Sequence, residues 1–196
     1  VFTVYECITA ECENNAVIPN MIAENKVDGI IVIGQVHREY IEMLSKITLP
    51  LLFVDFYDSR YDVDSVNSDS FNGGYLLTNY LVEMGHRRIG FFGNFNATSS
   101  INDRFLGYMK CLIENNIEYR RDWTLDDRNE RGIIYTKIDF PDDMPTAFVC
   151  NSDLTASRLI RSLRECGLQV PDDISVVGYD DYLYPARKLL NHMGGT

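Results

Sequence analysis

Short apolar runs recur along the chain, separated by stretches whose apolar residues return at helical spacing. Runs over 29–33, 51–54, 88–92, 147–150 and 174–177 are compact and rich in Ile, Val and Phe, and a further run opens the chain over 1–7. Each is the length of a buried strand rather than of a helix. Helices are predicted between them, over 16–25, 38–46, 70–84, 101–115 and 154–166. Phe71, Tyr75, Leu81 and Met84 fall on one helical face, as do Phe105, Tyr108, Met109, Leu112 and Ile113. Gly85 and Gly167 stand where helices usually terminate. Strand and helix in alternation imply parallel sheets with right-handed crossovers, an α/β fold.

The last run has a particular shape. Val170-Pro171-Asp172-Asp173 breaks the preceding helix, Ile174-Ser175-Val176-Val177 is strand-like, and Gly178-Tyr179 then delivers Asp180 and Asp181 at the strand's carboxyl end. In open α/β sheets ligands bind outside those ends, so these carboxylates stand where a small polar molecule would be held. They could equally cap the next helix.

Composition narrows the function classes. A chain of 196 residues, 45% apolar and 24% charged, can bury a substantial core and reads as globular. No segment is long and apolar enough to cross a membrane, and the opening Val1-Phe2-Thr3-Val4-Tyr5 reads as strand rather than signal peptide. The formal charge of −11 argues against a nucleic-acid interface, which needs a basic face. Cys7, Cys12, Cys111, Cys150 and Cys166 are odd in number and scattered, which favours free thiols in a reducing cytosol. Nothing beside Cys7 and Cys12 completes a zinc pattern, and no cofactor is implied.

Catalytic signatures are missing from the text of the chain. It contains no G-x-S-x-G, no phosphate-binding P-loop and no G-x-G-x-x-G after a strand. Asn72-Gly73-Gly74 lies inside a helical pattern and reads as close helix packing. His86, before two arginines at a strand entry, reads as structural. Asp180 and Asp181 could act as acid and base, but neighbours at one strand end are poorly placed to flank a bond from opposite sides. No enzymatic activity is expected. The charged run 120–131 reads as solvated surface.

Several segments, in order, carry a resemblance: Val27-Asp28-Gly29-Ile30-Ile31-Val32; Asp69 to Gly74; Met84-Gly85-His86-Arg87-Arg88-Ile89-Gly90-Phe91; Arg104-Phe105-Leu106-Gly107-Tyr108; Pro145-Thr146-Ala147-Phe148-Val149-Cys150-Asn151-Ser152-Asp153; and the run ending at Asp181. Together they resemble the effector-binding domain of the lactose-repressor/galactose-repressor (LacI/GalR) family of bacterial transcription regulators. The resemblance implies two doubly wound parallel-sheet lobes of the type I periplasmic-binding-protein kind, with the ligand held in a cleft between them. Residues 1–85 would form the N-terminal lobe and 86–183 the C-terminal lobe. Residues 184–196, with Ala186, Leu189 and Leu190, resemble the family's late helix returning to the first lobe. Two departures stand out. The family's first strand and following loop have no counterpart before Val1, and the return crossover and strand that usually precede the late helix are missing between Pro185 and Ala186.

The resemblance also implies a small-molecule effector, a sugar or sugar-like compound, a cytoplasmic homodimer, and operator DNA reached only through a headpiece outside this chain. It implies that Arg104 grips the effector, and Arg presents fixed donors suited to vicinal hydroxyls or a carboxylate. Asp180 matches the family's cleft acid, an acceptor for sugar hydroxyls. Ser152 takes the place of a ligand-binding Asn, with Asp153 capping the helix that follows. Asn72 aligns with a first-lobe position facing the cleft. Ser100 lies one turn before Arg104 and could donate to the same ligand. Trp123 matches an aromatic that closes over the ligand, and its neighbours Arg120, Arg121, Asp122 and Asp126 suggest nearby solvent. A sugar-binding component of a transport system shares this fold and is the rival reading; the unpaired cysteines and the wording of 85–93 and 170–181 favour the regulator.

Overall fold

The computed structural model describes residues 2–129, 132–135 and 137–182. The chain divides into two compact units, Val1–Ser68 and Asp69–Thr196. The late helix expected over 184–196 and the junction at Pro185 lie outside the described residues.

In the first unit, helix α1 (Ala10–Asn14) starts where the Thr9 hydroxyl accepts the Cys12 N–H at 3.2 Å. Helix α2 (Asn20–Ala23) follows Pro19. The single helix predicted over 16–25 does not form, because Pro19 offers no N–H and restricts Ile18 before it. Strand β1 (Ile30–Ile33), helix α3 (Arg38–Leu44), β2 (Leu51–Val54) and β3 (Asp64–Val66) complete the unit. The strands pair in parallel in the order β1-β2-β3, with Ile30 opposite Leu51 and Leu52 opposite Asp64. Ile41 of α3 packs with Phe53 and Phe56 to form the core. The strand predicted over 1–7 is not found among the described residues. A strand exists only in a ladder, and this segment is instead fastened by Glu6, whose carboxylate accepts the Asn20 and Met21 N–H groups at 2.8 and 3.3 Å.

The second unit contains α4 (Ser70–Glu83), β4 (Ile89–Phe92), α5 (Ser99–Glu114), a 3-10 turn at Arg121–Trp123, β5 (Thr124–Leu125), β6 (Ala147–Cys150), α6 (Asp153–Glu165) and β7 (Ser175–Val177). Its sheet runs β5-β4-β6-β7 and every pairing is parallel. Successive strand residues point to opposite faces, so each run of the sequence serves two cores. Ile89, Phe91, Ala147 and Val149 join Leu81, Phe105, Tyr108 and Leu112 on the α4–α5 side. Phe92, Phe148 and Cys150 join Ala156, Leu159 and Leu163 on the α6 side. The parallel sheet is what the sequence pattern predicts, and its doubly wound cover is what the resemblance implies.

Two glycines fix how α4 meets α5. A Cβ added at Gly74 would collide with the Arg104 carbonyl, and one added at Gly107 with the Phe71 carbonyl. The helix backbones therefore touch, as the Asn72-Gly73-Gly74 spacing suggests. The sequence ends the first lobe near residue 85, whereas compactness groups α4 with the second unit, through this contact. His86 bridges the amino ends of two strands, with Nδ1 2.9 Å from the Thr146 hydroxyl and Nε2 3.1 Å from that of Ser175. Its role there is structural.

Candidate functional site

The second sheet's carboxyl ends gather the polar groups. After β4 comes Gly93, where an added Cβ would lie 2.7 Å from the Asn151 Cβ, so the glycine lets Asn151 sit against the strand end. Asn151 follows β6 and donates its N–H to the Phe92 carbonyl at 3.0 Å. It is 1% exposed, and its Oδ1 has no hydrogen-bond partner among the described residues.

Arg104 reaches the same rim from α5. Its Nη1 donates to the Asn151 carbonyl at 2.6 Å, and its guanidinium carbon lies 3.8 Å from the centre of the Tyr179 ring. Arg104 is 9% exposed and its Nε is buried without a partner among the described residues. Tyr179 is pressed in turn against α4, because an added Cβ at Gly73 would strike its ring. The close approach of α4 and α5 thus places the arginine, and β7 supplies the aromatic floor beneath it.

Beyond Tyr179 the chain turns sharply. Asp180 has φ 113° and Asp181 φ 51°, a backbone that non-glycine residues seldom adopt. Strain of this kind persists only where surroundings hold it. Here Asp153 does so: its N–H donates to the Tyr179 carbonyl at 2.7 Å, and its carboxylate accepts the Tyr182 N–H at 2.6 Å. Gly178 leaves the room this carboxylate needs. The sequence pattern assigns Asp153 the helix-cap role. The structure gives the cap to Ser152, whose hydroxyl accepts the Thr155 N–H at 3.2 Å, and makes Asp153 the fastener of the turn. The Ser152 hydroxyl, read as a ligand contact, is occupied by α6 and the Thr155 hydroxyl 2.8 Å away.

The other candidates divide. Ser100 is buried one turn before Arg104 on α5. Asn72 is exposed in the first turn of α4, beside the glycine that carries Tyr179. Asp180 is exposed at the end of the β7 segment. Trp123 stands apart. It is 3% exposed, and its indole N–H donates to the Asp143 carbonyl at 2.7 Å. The Arg88 and Arg120 guanidinium carbons lie 5.1 and 4.5 Å from its ring centre. Arg88 immediately precedes β4 and Trp123 immediately precedes β5, so this cluster belongs to the amino end of the sheet, away from Arg104. The flanking charges suggest a ring near solvent; they are instead its cover.

Sequence reasoning missed a further group. Asp127, inside the run read as solvated, is 1% exposed and accepts the Asn94 N–H at 2.9 Å and the Arg128 Nε–H at 2.8 Å. Asn94, buried after β4, donates its side-chain N–H to the Arg128 carbonyl at 2.9 Å. The available signal was a carboxylate pair just after Trp123-Thr124-Leu125, as at Asp180 after its strand. Among the described residues no cluster could hold a metal ion, and no helix is long and apolar enough to cross a membrane.

A doubly wound parallel sheet whose carboxyl ends bear buried polar atoms without partners among the described residues is the arrangement at which α/β proteins hold small molecules. The comparisons with known proteins agree. The chain belongs to the periplasmic binding protein-like domain family, matched over residues 78–189, as an effector-binding domain of the LacI/GalR type. The HTH-type transcriptional repressor PurR of Pasteurella multocida is 33% identical over 166 residues, covering 82% of this chain and 50% of the relative. The PurR of Photobacterium profundum is 30% identical over 186 residues, covering 90% and 56%. Among solved structures, a transcription regulator from Lactobacillus plantarum superposes with a TM-score of 0.70 at 25% identity, over 89% of this chain and 66% of that one. A putative ribose operon repressor from Burkholderia thailandensis, at 22% identity and TM-score 0.71 over 87% and 63%, shares the fold. The chain spans about half the length of the curated relatives it matches.

Proposed function

We propose that this chain senses a small sugar-like molecule on behalf of a transcription regulator, binding it at the carboxyl ends of β4, β6 and β7 without transforming it. The observation that carries this reading is the pair of buried polar atoms at one rim, Arg104 Nε and Asn151 Oδ1. A buried polar group without a partner costs about 1–3 kcal/mol. The first atom requires an acceptor and the second a donor, and a polyol offers both. Ser100, Asn72 and the exposed carboxylate of Asp180 are the further contacts, with Asp180 accepting hydroxyls.

Binding would favour one conformation of the regulator over another, through the difference in affinity between the two. DNA would be contacted by a part of the protein outside this chain, in a cytoplasmic homodimer. That the relatives are transcriptional repressors supports this assignment over a transport component. A thermal-shift screen against monosaccharides, disaccharides, sugar phosphates and nucleobases tests it. A ligand at a hundred times its Kd adds about 2.7 kcal/mol, which raises Tm by a few degrees. A sugar hit that Arg104→Ala abolishes is expected. A folded protein that responds to nothing in the panel overturns the reading.

A further inference from the structure

We propose that the molecule recognised at this rim carries an oxyanion, a carboxylate or a phosphate, seated on the Nε edge of Arg104 before the first turn of α5. The inference deepens the function proposed above. It rests on the rim being a binding site, and does not require that the rest of the ligand be a sugar.

The argument starts from charge. Arg38, Arg60, Arg88, Arg120 and Arg128 each meet a carboxylate, and all keep a quarter or more of their side chains in solvent. Arg104 is 9% exposed and meets no carboxylate among the described residues. Its company there is a backbone carbonyl and the face of Tyr179, neither of which carries a net charge. A buried cation without a counter-charge is costly, and a neutral sugar would satisfy its hydrogen bonding while leaving that charge uncompensated.

Geometry adds direction. Nη1 is committed to Asn151, which leaves the opposite edge of the guanidinium, Nε with Nη2, as its remaining donors. That edge is a side-on fork matching two oxygens of a carboxylate or phosphate. Its Nε has no partner among the described residues.

The helix adds sign. Arg104 lies in the second turn of α5 (Ser99–Glu114), and helical side chains lean toward the N-terminus. The amino end of a helix of this length is electropositive, and the first turn of α5 holds no acidic residue. Helix end and guanidinium thus reinforce one another in a chain whose formal charge is −11. Asp180, the carboxylate nearest in sequence to the aromatic floor, is exposed.

The experiment uses matched pairs on the full protein. Calorimetry compares D-gluconate with D-glucitol and D-glucose 6-phosphate with D-glucose. In parallel, inorganic phosphate is titrated while the Arg104 Nε–H resonance is followed by NMR, assigned with Arg104→Lys. The anionic member of a pair should bind about tenfold tighter or better, with an affinity that falls as salt rises. The responding pair distinguishes carboxylate from phosphate. Arg104→Gln should erase the preference while keeping the fold, and phosphate should shift the Nε–H resonance to saturation. Equal or tighter binding of the neutral partners overturns the anion and leaves the sugar site standing. Saturable phosphate binding with no response to any sugar keeps the anion seat and removes the sugar. An Nε–H resonance that none of the anions moves overturns the inference outright.

Discussion

At the scale of single residues, Arg104 makes an unusual demand on the fold. It is held by one hydrogen bond and one ring, and its charge is unopposed among the described residues. Replacing a buried charge with an apolar side chain of similar volume is often neutral or stabilising, by about 1–4 kcal/mol. Arg104→Met should therefore leave the ligand-free protein at least as resistant to urea as the parent while abolishing ligand binding. A loss above about 3 kcal/mol would instead make Arg104 a structural residue. The cysteines offer a second check. Burial pushes the Cys150 thiol well above its usual range, and raises that of Cys111 as well. Cys7 and Cys166 are exposed. A thiol-reactive reagent at neutral pH should label Cys7 and Cys166 in the native protein, and reach Cys111 and Cys150 only after denaturation.

At the scale of elements, the contact of α4 with α5 is the device that places Arg104. Gly74→Ala would force a methyl group into the Arg104 carbonyl, and backbone cannot swing aside as a side chain can. A loss of about 1–3 kcal/mol in chemical denaturation is expected, together with weaker ligand binding, because Arg104 moves with its own carbonyl. Unchanged stability would mean the helices can separate freely. The amino end of the sheet answers to pH. The guanidinium groups of Arg88 and Arg120 hold the Asp143 carboxyl below the usual carboxylate range. That contribution is complete above the ordinary carboxylate pKa and is lost as pH falls through the depressed value. Asp143→Asn should lower Tm modestly at pH 7, and the gap between the two proteins should close as pH falls through the depressed pKa of Asp143. The legibility of the elements follows the same physics. The strands Ile89–Phe92 and Ala147–Cys150 can be read from sequence because both of their faces are buried, leaving unbroken apolar runs. Asp64–Val66 is short and wholly exposed, so no pattern announces it. The 1–7 segment has the composition of a strand but joins no ladder among the described residues. Arg104 stands out in the sequence only through the resemblance carried by Arg104-Phe105-Leu106-Gly107-Tyr108. The setting of Trp123 is not legible, because its cover comes from Arg88 and Asp143, far away in sequence. Tyr179 and Asn151 escaped for a related reason: each acquires its role by touching a side chain from another element.

At the scale of the whole molecule, the formal charge of −11 gives this chain no electrostatic attraction for a phosphate backbone. It should fail to retard duplex DNA at physiological salt, in contrast to a longer protein carrying a basic DNA-binding part. The two units also differ in how their sheets are covered. The second has a hydrophobic cluster on each face, so β4 and β6 are enclosed from both sides. In the first, Ile31 and Ile33 of β1 are 60% and 68% exposed, and three residues make up the fully buried cluster. Local opening follows local burial, since the free energy of exposing an amide is set by the apolar contacts that must be broken. Native-state hydrogen exchange should therefore show β1–β3 amides opening at least about a hundredfold more often than those of β4 and β6, a gap of roughly 2.7 kcal/mol. The gap should widen when ligand binds, because the contacts assigned to it lie in the second unit and stabilise that unit by mass action. Equal protection throughout would mean that the chain opens as one cooperative unit, and that the exposed face of β1 costs the first unit nothing.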